Sequence, residues 1–400
     1  MAVGSMILLA LTFGFGALDI RPNPKAPSAA HVAVWAPERP DYFLFADTAA
    51  FAPNAWSQLV ALRKHPIVTG SPQLRANVDS FVSMAEGGLQ NVKELSGLDV
   101  INDLHWVGVW VSFPASGSPE FLVALGGKFP ADFTERTASR FETPTRVVGG
   151  STLLISDDVA LGLSASGVLI AGTTRLVEER IVASWKPAPA APGGLNARLG
   201  ALLADKPFLA FASDPGDALR NVLAVALADE PWAAELVIGH EYFGLAMHPK
   251  GVGWTWVAQD VAGAKVAESV STGIVELSRA GQLAVRGATR VILAALRGSD
   301  DPSVKELLEH HDALLALVLE NTSDGTFPAK VVANPKTRTV DVKMTGKSFK
   351  HVFPFGILVP IGAGAAFWSF SRDSVSEPET APAEVLPAEV APSNTAPAEQ

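Results

Sequence analysis

Cysteine is absent from the 400 residues. That excludes disulfides, thiolate nucleophiles, cysteine-ligated zinc and a lipid-modified cysteine anchor. Charge is sparse, at 18% of the chain, and its 31 Lys and Arg are outnumbered by 41 Asp and Glu. Phosphate backbones are held by clustered cations, so no nucleic-acid partner is expected. Also missing are GxxxxGK[ST], a GxGxxG after a strand, HExxH and GxSxG. Gly162-Leu-Ser-Ala-Ser166-Gly misses the last spacing and reads as a strand-turn-strand. Gly251-Val-Gly253 reads as part of a hairpin turn.

What is present is apolar. Hydrophobic residues make up 48% of the chain, ample for a sizeable core. The net charge of −10 is unevenly placed. Residues 371–400 set Arg372 against Asp373, Glu377, Glu379, Glu384, Glu389 and Glu399, a net −5. That tail, rich in Pro, Ala and Glu, is expected to be disordered.

Val352–Phe370 (VFPFGILVPIGAGAAFWSF) holds no charged residue. A spanning helix needs roughly 20 apolar residues, with about 17 as a minimum. Residues 352–370 are therefore expected to form a transmembrane segment. Phe353, Ile357, Leu358, Val359, Ile361, Phe367 and Trp368 would be its anchoring side chains. Pro360 and the glycines at 356, 362 and 364 predict a kinked span. Met1–Leu18 is a second apolar run, signal-like or anchoring, though it lacks the cationic start of a signal peptide. Five prolines between Pro22 and Pro40 make 19–40 an extended leader, with His31–Trp35 as a short strand.

The expected fold class is α+β, built as two related units of antiparallel sheet packed with helices. The first unit spans about 41–185. Tyr42–Ala46 is its first strand, a helix follows, and a second helix runs from Pro72 to about Leu95, interrupted near Gly87–Gly88. His105–Phe113 and Glu120–Ala124 make a hairpin. After a short helix from Pro130 to Arg140 come four short strands, with Gly149–Gly150 and Asp157–Asp158 as turns. Thr174–Trp185 closes the unit as a helix. Residues 186–194 (KPAPAAPGG) are the linker.

The second unit, about 195–346, partly repeats the first. Phe208–Ala212 resembles Tyr42–Ala46, the helix Asp217–Ala228 follows it, and a hairpin closes near His248–Gly253. The longest helix spans about 261–297. Val270, Ile274, Leu277, Gly281, Ala284, Ala288, Val291 and Ala295 form its apolar stripe, at steps of three and four. Gly273, Gly281 and Gly287 invite a break or a close helix contact. A helix from Ser303 to about Glu320 and a hairpin of Ala329–Ala333 with Thr339–Met344 complete the unit. Residues 352–370 follow as a C-terminal apolar helix.

No catalytic, cofactor or metal residues emerge. Glu309, His310, His311 and Asp312 share a helix, but adjacent histidines point about 100° apart. His240 and His248 are eight residues apart on a strand, too far for one ion. Asp157–Asp158 has turn chemistry. Trp106 with Trp110, and Trp254 with Trp256, share strand parity and suit core packing.

Residues 40–185 carry the pattern PDYFLFADTAAF, LSGLDVINDLHWVGVWV, PEFLVALGGKFPADF and LIAGTTRLVEERI. With Gly97–Asp99, Asp103–Leu104 and Gly127–Phe129 as structural turns, this resembles a family of uncharacterised bacterial cell-envelope proteins. The resemblance extends loosely over about 41–345. It implies a two-repeat α+β body, an export signal or membrane anchor, and an envelope location with the body periplasmic or extracytoplasmic. The expected role is non-catalytic binding, scaffolding or structural support, with the membrane and a protein at the envelope as partners. A periplasmic hydrolase or small-ligand-binding protein is the alternative. A deep polar pocket with converging carboxylates or histidines would favour that alternative, whereas an exposed apolar face on the long helix would favour a partner protein.

Overall fold

The computed structural model describes residues 20, 23 and 25–352. Residues 71, 183–193, 227, 229–238, 299–304, 306–307, 310–311, 313–314, 317–318 and 321 fall outside that description. The chain divides into compact units of residues 1–357 and 358–400. The second unit lies outside the described residues, as do residues 353–370 with the proposed anchor and the expected C-terminal helix. Among the described residues, no helix is long and apolar enough to cross a membrane.

The fold is α+β, and twelve strands make one antiparallel sheet. The elements in chain order begin with α1 (Ala29–Ala33), β1 (Tyr42–Ala46), α2 (Thr48–Leu62), α3 (Pro66–Thr69), α4 (Pro72–Ser96) and α5 (Val100–Asp103). Next are β2 (Leu104–Ser112), β3 (Glu120–Gly127), α6 (Phe133–Phe141), β4 (Thr145–Val148), β5 (Ser151–Ser156), β6 (Val159–Leu163), β7 (Val168–Thr173) and α7 (Thr174–Ile181). The second half holds α8 (Leu195–Leu202), β8 (Leu209–Ser213), α9 (Asp217–Ala226), β9 (His240–His248), β10 (Gly251–Ala258), α10 (Val261–Leu296), β11 (Ala329–Asn334) and β12 (Thr339–Thr345).

Across the sheet the order is β11-β12-β10-β9-β8-β1-β2-β3-β7-β6-β5-β4. Outward from the centre, β1-β2-β3-β7-β6 matches β8-β9-β10-β12-β11. The repeat is therefore real in topology, with β4 and β5 added to the first half. The halves meet where β1 pairs with β8, from Tyr42 opposite Ser213 to Ala46 opposite Leu209. Asp47 and Asp214 follow these two strands at equivalent places. Burial pushes both carboxyls above the usual range.

Strand alternation sorts the side chains. Phe43 and Phe45 share one face with Trp110, Leu122, Ile170, Ala210 and Ala212, and this face packs under α1, α7 and α8. The Phe43 and Trp110 rings lie 5.3 Å apart and both side chains are fully buried. Gly126 leaves room for the Trp106 indole, whose Nε1 would lie 1.8 Å from an added Cβ. On the other face Trp254, Val340, Val342 and Met344 pack against Ala267 and Val275 of α10. Trp254 Nε1 donates to Ser271 Oγ of that helix at 3.0 Å.

Three local expectations change. His31–Trp35 is not a strand. Ser28 caps α1, its Oγ accepting from His31 N at 3.2 Å, and the alanines around it favour helix. Helix α4 continues through Gly87 and Gly88, where added Cβ atoms would meet nothing within 4 Å. Its packed residues Val78 and Val82 hold it despite a cost of about 1 kcal/mol per exposed glycine. Helix α10 likewise passes Gly273, Gly281 and Gly287 unbroken.

The largest change concerns which side of α10 is buried. Ser271, Val275, Ser278, Gln282, Val285 and Thr289 face inward. Much of the apolar stripe faces out, Leu277 being 71% and Val291 68% exposed, although Gly281 is buried and Val270 half-buried. Hydrogen bonds explain the inversion. Ser271 takes the Trp254 bond, Gln282 Oε1 accepts from Ser323 N at 3.0 Å, and Thr289 Oγ1 donates to Val285 O at 2.8 Å.

Asp41 fastens the seam between the halves. Its Oδ2 accepts from Phe113 N at 2.6 Å and its Oδ1 from Gly216 N at 2.6 Å. Its carbonyl accepts from Asp214 N at 2.8 Å. Asp41→Asn turns one acceptor into a donor facing an N–H. We expect a loss of roughly 1–3 kcal/mol with an unchanged denaturant slope, read from the urea midpoint.

Candidate functional site

In the second half, the face that carries the core in the first half bears small residues. Gly244 and Ala246 of β9 stand beside Gly251 and Gly253 of β10. Here the sheet forms the floor of an open groove of about 810 Å³. Helix α8 and Asp205 wall one side. Strands β12 and β11 bring Asp341, Lys343, Lys330 and Val332 to the other.

The register fixes the polar groups. Lys330 lies directly opposite Lys343 on neighbouring antiparallel strands, and Asp341 lies opposite Val332. Like charges so placed repel. Arg198 and Lys250 add to the cations. Asp205 and Asp341 are the groove's carboxylates. Asp341 is already engaged, its Oδ1 accepting from Thr255 Oγ1 at 2.7 Å. The Arg198 guanidinium sits 4.5 Å from the centre of the Tyr242 ring. Burial pushes the Tyr242 hydroxyl up to about 12, against the opposing pull of Arg198.

The mouth of the groove is tied to the end of the described chain. Lys250 O accepts from Gly346 N, and Pro249 O from Phe349 N, both at 2.8 Å. Val352 is fully buried beside Phe349 in the α10 cluster.

The residues weighed from sequence fall elsewhere or stay apart. His240 and His248 end opposite tips of β9. Glu241 pairs with Arg338 at 2.8 Å. His240 Nε2 lies 3.2 Å from Ser213 Oγ, but both residues are about 95% buried and the imidazole packs edge-on to Trp256. The pair locks β8 to β9 and is closed to a substrate. His310 and His311 lie outside the described residues. Asp157 holds a turn at φ 50, and Ser164 and Ser166 sit in the β6–β7 turn. Among the described residues no group of three potential metal ligands comes together. Among the described residues, His248 is the histidine that lines the groove.

Sequence reasoning missed the groove because its parts run from Arg198 to Thr345. A signal was nonetheless present. In Thr339–Thr345 the alternate residues Asp341, Lys343 and Thr345 are polar, as expected of a strand with one open face.

No family model matches the chain, and no curated protein matches it. Among solved structures it is similar to one described as "Structure of crystal form I of TP0453", at 12% identity and a TM-score of 0.33. That likeness covers 79% of this chain and 92% of the other.

Burial holds the His248 imidazolium below its ordinary 6.5; Asp205 opposes this and Lys343 reinforces it. The unfolded chain therefore binds this proton more readily than the fold does. Stability is complete above 6.5 and is lost as pH falls from there towards the lowered value. We expect the wild-type urea midpoint to drop more than that of His248→Gln from about pH 7.5 to about pH 5.5. Parallel profiles would show that His248 carries no such linkage.

Proposed function

We propose that the chain is a membrane-anchored bacterial envelope protein with a non-catalytic binding role, and that the groove holds an anionic ligand. The observation that carries this reading is the Lys330–Lys343 pair facing across β11 and β12 beside a glycine floor. An anion between them would remove the repulsion and complete the coordination of both ammonium groups. The groove brings no nucleophile, base and orienting group together, which supports binding over turnover. The anchor belongs to the apolar run that follows Val352, which is itself buried beside Phe349. The bonds from Gly346 and Phe349 hold the chain at the mouth of the groove shortly before that run begins. A small-ligand-binding protein is the second reading, favoured by the groove's volume, which falls within the usual range of about 300–1,000 Å³.

Lysine acetylation read by mass spectrometry tests the site on the full chain. Lys330 and Lys343 should be protected by inorganic phosphate or by micelles of a short-chain anionic lipid, and not by a zwitterionic one. A double Lys330→Gln, Lys343→Gln variant should lower affinity by about tenfold to a hundredfold. Equal acetylation with and without both anions would sink the proposal. Membrane fractionation of the full chain beside one ending at Lys350 tests the anchor separately, since a soluble full chain would remove that part alone.

A further inference from the structure

Strands β1, β2, β3 and β8 are apolar on both sides, the composition of a sheet covered on both faces. On one face Phe43, Phe45, Trp110 and Leu122 are buried. The alternate residues point the other way. Pairing sets Leu245, Phe211, Leu44, Val109 and Val123 in one straight row across β9, β8, β1, β2 and β3. Leu44, at the middle of the row, is 42% exposed, and the other four are half-buried. Phe121, two residues from Val123 on the same side of β3, is 36% exposed. Helix α10 packs on β10 and β12, and α6 on β5 and β6, which leaves Leu44 open between them.

We propose that residues 1–18 of the same chain lie across this row and cover it. The chain enters the described structure at the margin of the row. Ile20 is buried in the cluster of Ala50, Phe208 and Met247, against which Leu209 and Leu245 pack. Asn23 Nδ2 donates to both carboxylate oxygens of buried Asp47, at 2.9 and 3.0 Å. Asp47 directly follows β1, the middle strand of the row. The segment before Ile20 is therefore tethered close to Leu44, and so short a tether holds it near the face at millimolar effective concentration, on the order of that for a short flexible linker. Its chemistry fits, since Met1–Leu18 holds no charged residue and neither does the row. Its length fits as well: as a helix it reaches about 27 Å, and the diagonal of a patch from β9 to β3 along the length of β1 is roughly 25 Å. The apolar run after Val352 starts elsewhere, from the β9–β10 turn, where Phe349 N donates to Pro249 O at 2.8 Å. The N-terminal run, signal-like or anchoring by sequence, thereby gains a place on the fold itself.

The test places benzoylphenylalanine, a photo-crosslinking side chain, at Leu44 or at Phe121 of the full chain in a bacterial host. Irradiation of intact cells should join either position to a peptide from residues 1–18, in a product of monomer mass read by mass spectrometry. The same probe at Val147, 70% exposed on the edge strand β4, should not reach that peptide. Leu9→Glu combined with Leu11→Glu should lower the Leu44 crosslink by about tenfold or more, because covering the row would then draw two charges out of water. A crosslink that survives those two charges would reflect the tether alone and overturn the proposal. Products with residues 353–370, with a second copy or with lipid would name another occupant and overturn it, as would recovery of chains that lack residues 1–18. No crosslink from either position would do the same.

Discussion

The ladder between β1 and β8 is the constraint on which the rest of the molecule depends. Five residue pairs join the two halves into one sheet. Without it each half would present an unpaired strand edge to solvent. The seam is also matched in volume. Phe43 faces Ala212 and Phe45 faces Ala210, so aromatic rings from the first half fill space that the second half leaves empty. Backbone bonds continue the ladder past its end, with Asp47 N donating to Phe208 O and Phe208 N to Met247 O. The two halves thus share one core at their junction.

Away from the seam the repeats diverge, and the groove results. In the first half β7 leads into α7, whose Leu176, Val177 and Ile181 cover the face that bears Trp110, Leu122 and Ile170. In the second half β12 leads into a short 3-10 turn, Phe349–His351, and the chain packs Phe349 and Val352 onto the opposite face. The face of β10 and β12 that corresponds to the covered one keeps glycine, threonine and lysine. Large apolar side chains there would stay wet and gain little, since burial is what stabilises them. One change in where the chain goes after an equivalent strand therefore explains the small floor, the polar rim and the open volume together.

The sequence made the sheet legible wherever strands were short and bounded by turns. Gly149–Gly150 and Asp157–Asp158 each mark a hairpin found in the fold. The repeat was visible in two five-residue strands, because both sit at the centre where burial on one side and pairing on both fix their composition. Hydrophobicity misplaced α10 for a physical reason. Its inward positions are Ser, Gln and Thr with specific bonds to Trp254, Ser323 and the Val285 carbonyl, and apolar periodicity does not register such partners. The groove was illegible as a unit because strand register, not sequence proximity, places Lys330 opposite Lys343.

The two surfaces of the second half lie on opposite faces of the same strands. Trp254, Val340 and Val342 point to α10, while Gly253, Asp341 and Lys343 point to the groove. Alternation along β10 and β12 makes this unavoidable: each residue given to one face is taken from the other. The Trp254 indole anchors α10 through Ser271, and its backbone forms part of the groove lining.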